Sequence, residues 1–191
     1  MSRRGLVTLP PTRIDLAISR RCARAATPAR ERTVRVLTWF ADEKILLGVV
    51  GLFWLNAQLR PAEEDVRHES SLMLFSVAAA GLLPHLFKYL VDRKRPDRAV
   101  VHGRRHGIPR SGNPWDSFPS GHAVHLSAIA GPLTRLTPKR FRPLVWTGLL
   151  GLASTRIVLL AHYASDVIAG LVIGAILGRS IRKLTEIDKQ S

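Results

Sequence analysis

The chain of 191 residues has a single cysteine, Cys22, so no intramolecular disulfide can staple it. Acidic residues are also few. Fourteen Asp and Glu stand against 29 Lys and Arg, a formal net charge of +15. No carboxylate cluster offers to hold a divalent cation, so no metal and no cofactor is expected. The basic excess asks for an anionic partner: nucleic acid, an anionic membrane surface or a phosphorylated substrate. Aromatics are 6% of the residues and sparse in the basic stretches, which leaves base stacking without a platform and argues against nucleic acid. The N-terminus lacks a signal-type apolar core and reads as Arg-rich and amphipathic. Neither an internal repeat nor a low-complexity segment is present.

What the chain does have is apolar residues gathered in runs. They make up 46% of the sequence, an ordinary fraction with an uneven distribution. Five spans stand out: Ile45–Leu59, Ser71–Val91, Ala123–Leu136, Pro143–Ala161 and Tyr163–Gly178. A membrane helix takes about 20 apolar residues. The second and fourth spans meet that, and the others must borrow flanking residues or thin the bilayer. Too few amphipathic helices remain to cover these spans in a soluble bundle. The expected fold is therefore all-α: an integral membrane helical bundle with about five spanning helices plus an N-terminal amphipathic helix. Residues 1–44 form the basic amphipathic segment, 45–182 the bundle and 183–191 a polar tail. In the first segment, "TRIDLAISRRCARAA" sets Ile14, Leu16, Ala17 and Ile18 among arginines, which suits a helix lying on an anionic leaflet.

Ionisable groups in or beside these spans are costly and usually functional. Lys88 ends the second span, His122 abuts the start of the third, Arg156 is late in the fourth, and His162 and Asp166 open the fifth. Consecutive spanning helices alternate in direction, so these five residues converge on one membrane face. His85 and His125 fit this pattern less well and read as bundle residues.

Three motifs carry the chemistry. In "KYLVDRKRP", Lys88 and Arg95 flank a helix exit marked by Pro96. Two fixed cations there can clamp phosphate oxygens, or simply snorkel. In "PSGH", Ser120 suits a helix N-cap and Gly121 admits an anion close to the backbone. The helix N-terminus favours negative charge and His122 can deliver a proton. An ordinary cap with an incidental histidine would read the same. In "TRIVLLAHYASD", His162 and Asp166 are four apart, so on one helix they share a face and can hydrogen-bond. A carboxylate on one imidazole nitrogen leaves the other as a nucleophile. A structural ion pair is the alternative. A turn near Leu160 to His162 would bring Arg156 alongside.

Together the motifs resemble the type 2 phosphatidic acid phosphatase superfamily, which includes lipid phosphate phosphatases and vanadium haloperoxidases. The family pattern is Lys, six residues, Arg-Pro; then Pro-Ser-Gly-His; then Ser-Arg, five residues, His, three residues, Asp. Here it reads Lys88…Arg95-Pro96, Pro119-Ser120-Gly121-His122 and Thr155-Arg156…His162…Asp166. Thr155 stands where the family usually has Ser, and five spans are counted where membrane members commonly have six. The resemblance implies that His162 attacks phosphorus to give a phosphohistidine, that Asp166 orients it, and that His122 protonates the leaving oxygen. Lys88, Arg95, Ser120, Gly121 and Arg156 would bind the phosphate without a metal.

The expected substrate is a lipid phosphate, with a polyprenyl phosphate or diphosphate ahead of phosphatidic acid or phosphatidylglycerol phosphate. The extra basic residues Arg93, Lys94, Arg98, Arg104, Arg105 and Arg110 favour a highly charged head or anchor the leaflet. A metal at His102 and His106 is not expected, for want of acidic partners. The soluble, much longer haloperoxidases fit the apolar runs poorly. A non-catalytic protein binding anionic lipid is the reading from another class. The expected location is a bacterial cell membrane, with the pocket outside the cytoplasm. The oligomeric state is not fixed by these features.

Overall fold

The computed structural model describes residues 5–101, 108 and 112–188. The expectations for His102, His106, Arg104, Arg105 and Arg110 lie outside the described residues. The rest is mostly helical. A short strand β1 (Val7–Thr8) leads to α1 (Arg13–Ala25), α2 (Pro28–Trp39), α3 (Glu43–Leu59) and α4 (Glu64–Leu90). A second short strand, β2 (Val91–Asp92), pairs in parallel with β1. One helical turn, α5 (Pro96–Ala99), precedes α6 (Gly121–Leu136), α7 (Arg142–Val158) and α8 (Ala164–Asp188).

The helix starts are written in the sequence. Thr12 and Asp15 make a reciprocal capping box on α1, and Thr27 caps α2 with Pro28 in its first turn. The Asp42 carboxylate accepts from the backbone of Lys44 at 3.0 Å and starts α3 there, so the first apolar helix begins after Asp42.

Helix α6 is the axis of the bundle. From Ala123 to Ala130 every residue is buried, and the two polar ones, His125 and Ser127, bond to carbonyls of the helix itself. Leu126, Ala130, Leu149, Ala153 and Val167 form one core between α6, α7 and α8. Val50, Met73, Val77 and Ile129 form a second between α3, α4 and α6. Helices α6 and α8 run parallel and nearly touch, because α8 presents glycine every fourth residue. A Cβ on Gly170 would lie 2.6 Å from the Ser120 carbonyl oxygen, and one on Gly178 2.5 Å from that of Ala128. Between them, a Cβ on Gly174 would overlap Val124 and Ser127. This small-residue seam is the usual way for membrane helices to approach closely, and it sets the starts of α6 and α8 side by side.

Two helices, Glu64–Leu90 and Ala164–Glu186, are long and apolar enough to cross a membrane. The others in the bundle, α3, α6 and α7, have 17, 16 and 17 residues. That is at or just below the lower limit for a full crossing, so length and composition support two of the five expected spans. The outer surface is nevertheless strongly apolar. Leu52, Leu59, Phe75, Leu82, Leu144, Ile168 and Ile176 are all more than half exposed, as on a surface that meets hydrocarbon.

The N-terminal helices do not behave as a separate surface segment. Helix α1 packs on α7 and α8, and α2 packs on α7. Helix α1 buries Asp15, Ser19 and Ala23, while Ile14 is 71% exposed. Of the apolar residues expected to face a leaflet, Ile14 and Ala17 are exposed while Leu16 and Ile18 are half-buried, and the fully buried stripe is largely polar. The cause is an inner cation, Arg93, that needs a counter-charge. At the other end, α8 continues to Asp188, so the tail expected from residue 183 begins inside the helix.

Candidate active site

The end of α7, the start of α8, the start of α6 and the loop after β2 meet at one end of the bundle. A cavity of about 350 Å³ opens there, with Arg95, His122 and Arg156 in its walls. Each of the three is delivered by a different device. The loop after β2 carries Arg95, whose Nε donates to the Asn113 carbonyl at 2.9 Å and whose Nη1 donates to the Ala161 carbonyl at 3.0 Å. His122 rides on the first turn of α6. Arg156 closes α7, with one Nη1 contact to Thr38 Oγ1 at 3.5 Å and a buried Nε that has no partner among the described residues.

His162 sits in the turn that joins α7 to α8. The turn bends at Leu160, whose φ of 56° is the left-handed region, unusual for a leucine. It brings Arg156 and His162 to the same side, the arrangement expected from a break near Leu160. The imidazole Nδ1 lies 2.6 Å from the Ser117 carbonyl oxygen. As a donor to that carbonyl, Nδ1 holds the proton and leaves Nε2 with its lone pair. Burial first, then the Arg95 and Arg156 cations, hold the His162 pKa well below the ordinary 6.5, against the opposing pull of the Ser117 carbonyl. The ring is therefore neutral at neutral pH, the state a nitrogen nucleophile requires.

Asp166 does not bond to that imidazole. The spacing of four predicted a shared helix face, but α8 begins only at Ala164, so His162 precedes the helix. Asp166 Oδ2 instead accepts from Ser117 Oγ at 2.6 Å and from the Tyr163 N–H at 2.8 Å. Its Oδ1 is ion-paired to Arg93. Asp166 thus fixes Ser117, and the Ser117 carbonyl fixes His162.

Arg93 is 1% exposed and is no leaflet anchor. Besides Asp166, it donates through Nη2 to Asp15 Oδ2 at 2.9 Å and through Nη1 to Ser165 Oγ at 2.8 Å. Its guanidinium also lies 4.7 Å from the centroid of the Tyr163 ring, a cation–π contact. Burial alone would raise the Asp15 pKa, but hydrogen bonds from Ser165 and Thr12 outweigh it and lower the value. A buried Asp15–Arg93–Asp166 chain results, and it ties α1 to the floor of the site.

The other expected residues are placed as follows. Ser120 is fully buried at the N-cap of α6, but its hydroxyl makes no capping bond and has no partner among the described residues. The backbone N–H of Ser120 donates to the Asp166 carbonyl at 3.1 Å, holding α6 to α8. A Cβ on Gly121 would meet only Pro84, at an ordinary 3.5 Å, so the fold itself does not demand glycine there. Lys88 stands apart from the cavity walls, 4.0 Å from Asp116 Oδ2. His125 bonds through Nδ1 to the Gly121 carbonyl at 2.7 Å, a bundle residue as read, and His85 is exposed.

Sequence reasoning missed Ser117, Asp15 and the whole contribution of α2. Arg35, Thr38, Trp39 and Asp42 line the same cavity. Thr155, the departure from the usual Ser, donates to Thr38 Oγ1 at 3.0 Å, so this hydroxyl helps seat α2. One signal for Arg93 was available. It alternates with Arg95 along an extended segment, so both side chains point to one face.

The match to a family model decides the kinship: residues 70–187 fit that of the PAP2 superfamily. The chain belongs to this superfamily. It is 39% identical over 104 residues to a lipid A 1-phosphatase of Rhizobium johnstonii, covering 54% of this chain and 42% of that protein. The chain therefore spans less than half the length of that relative. With a decaprenylphosphoryl-5-phosphoribose phosphatase of Mycobacterium tuberculosis it shares 28% identity over 172 residues, 88% of both proteins. In fold it is similar to Aquifex aeolicus LpxE, with a TM-score of 0.68 at 18% identity, over 93% of this chain and 99% of that one. A transmembrane PAP2-type phosphatidylglycerolphosphate phosphatase of Bacillus subtilis gives 0.66 at 20% identity, over 90% and 84%.

Proposed function

We propose that this PAP2 protein is an integral membrane phosphatase that hydrolyses the phosphomonoester or diphosphate of a lipid. One observation carries the reading: three guanidiniums (Arg35, Arg95 and Arg156) and one imidazole open into a single cavity, beside a second, buried imidazole whose Nδ1 is tied to a carbonyl. Such a set binds a tetrahedral anion and attacks it.

In the proposed reaction, Arg95 and Arg156 hold the phosphoryl oxygens with the Ser120 hydroxyl and the first N–H groups of α6. Lys88 adds charge from the rim. His162 Nε2 attacks phosphorus, an N–P bond forms, and the bond from phosphorus to the lipid oxygen breaks. His122 supplies the proton to that oxygen. It then takes a proton from the water that cleaves the N–P bond, releasing inorganic phosphate and restoring His162. Asp166 acts through Ser117 as a positioning residue. Phosphoryl transfer depends mainly on positioning and charge stabilisation, which these cations supply without a metal.

For the substrate we favour a polyprenyl phosphate or diphosphate. The relative aligned over 88% of both chains is named for a decaprenyl lipid, and the apolar outer surface suits a substrate delivered from the bilayer. Phosphatidic acid and phosphatidylglycerol phosphate are the alternatives. The pocket end is read as facing out of the cytoplasm, since the Lys139–Arg142 turn and the Arg179–Lys183 stretch lie at the other end.

The test is phosphate release by the purified full chain from a panel of polyprenyl, phosphatidic and phosphatidylglycerol phosphates, with a chelator present. Activity should survive the chelator, and His162→Ala should lose at least about a thousandfold. Wild-type turnover in His162→Ala would overturn the mechanism. A strict need for added Mg²⁺ would overturn its metal independence.

A further inference from the structure

A second cavity of about 350 Å³, as large as the catalytic one, lies at the far end of the same three helices. Four arginines line it: Arg135 from the last turn of α6, Arg142 from the first turn of α7, and Arg179 and Arg182 from α8. No carboxylate is among its lining residues. Arg182 is neutralised from behind by Glu69 and Glu186, and Arg142 Nε donates to the Thr137 carbonyl at 3.2 Å. Arg135 and Arg179 have no acidic partner among the described residues and are exposed. The floor below them is made of small residues, among them Ala128, Gly131 and Ala175, and Trp146 stands at the side, 45% exposed.

We infer that this cleft binds an anionic glycerophospholipid from the leaflet opposite the catalytic pocket. Three features select that ligand. Guanidiniums from three separate helices converge at a helix-end level, where headgroup phosphates lie and where basic pockets between membrane helices take anionic heads. Each fork can donate to two oxygens of one phosphate. The floor beneath the arginines is mostly apolar and runs along the α6–α8 seam beside α7, so a bound molecule carries a hydrocarbon portion as well as a charged one. Trp146 supplies an amphipathic ring at the boundary. A free phosphate would use the arginines and leave the floor empty. Pure leaflet anchoring would need charge but no cavity.

This inference rests on the membrane part of the proposed function and is independent of the catalytic part. The experiment measures the thermal midpoint of the full chain in neutral detergent, titrated with phosphatidylglycerol, phosphatidylcholine or inorganic phosphate. Phosphatidylglycerol should raise the midpoint saturably, and the other two should not. The double variant Arg135→Gln/Arg179→Gln should weaken that response about thirtyfold. Gly131→Leu, which fills the floor and keeps every charge, should also weaken it. The response should persist in His162→Ala, which separates this site from the catalytic one. An equal shift with inorganic phosphate, or an unchanged phosphatidylglycerol response in both cleft variants, would overturn the proposal. A chain that stays monodisperse without detergent would instead remove the membrane reading beneath it.

Discussion

At the pocket end of the bundle, Arg93 and Arg95 are 1% and 8% exposed, and each is held by several fixed acceptors. At the far end, Arg135 and Arg179 are exposed and no acid among the described residues holds them. The same residue type serves two different physical tasks. A buried guanidinium must have its charge and donors satisfied, or it destabilises the fold. Once satisfied it becomes a rigid reference point. An exposed guanidinium at a helix end costs little and stays free to meet a mobile anion. The pocket end is preorganised, as catalysis requires, and the far end is adaptable, as lipid binding allows.

The largest break in that contrast comes from Arg93. Arg93→Met leaves Asp15 and Asp166 as two buried carboxylates with no cation between them. The expected loss of stability is about 3–5 kcal/mol, read as a fall in the denaturation midpoint of the purified chain. Asp15→Asn should cost less alone and should recover part of the loss in the Arg93→Met background, because the two residues are directly coupled. If the two changes are strictly additive, the chain from α1 to the site floor does not exist as described. At the far end, removing Arg135 should leave the midpoint unchanged in lipid-free detergent.

The next effect is a pH dependence. The folded chain keeps His162 neutral below pH 6.5, whereas the unfolded chain protonates it near its ordinary value. The unfolded state then binds more protons, so stability falls as pH drops below 6.5. A single such group contributes at most about 1.4 kcal/mol per pH unit. The difference in midpoint between wild type and His162→Gln, followed from pH 8 to 5, isolates this group. It should shrink as the solution is acidified. A flat difference would mean that the imidazole titrates normally and is not shielded by burial, Arg95 and Arg156.

These outcomes bear on how much the sequence could disclose. The pocket end was legible because its residues sit at helix ends, and helix direction alternates regardless of detailed packing. Lys88, His122, Arg156 and His162 could be sent to one face by counting spans. What could not be read were contacts that depend on where a helix begins or on partners far along the chain. Asp166 misses the imidazole because α8 starts at Ala164, a boundary that the Leu160 turn controls. Asp15 and Arg93 are 78 residues apart, and only the docking of α1 joins them. The apolar residues of α1 suggested a lipid-facing helix, yet the buried stripe is largely polar because it answers an inner cation. The glycine seam of α8 also went unread, although its four-residue spacing is visible in "GLVIGAILG".

The smallest effect tests the far end by making it more unlike the pocket end. Glu69 neutralises Arg182 from α4, with 8% of the glutamate side chain exposed and 16% of the arginine's. Glu69→Gln keeps the shape and removes the charge, so a further cation is released toward the cleft. Anionic lipid should then bind about fivefold more tightly, the increment one more arginine brings near a charged surface. Stability without lipid should fall by about 1–2 kcal/mol, because the Gln amide oxygen can still accept from Arg182, which also keeps Glu186. A gain in affinity with little loss of stability is what an adaptable site predicts. A collapse in stability on removing this one carboxylate would mean that the far end is built like the pocket end, around a fixed buried charge, and that its arginines are structural.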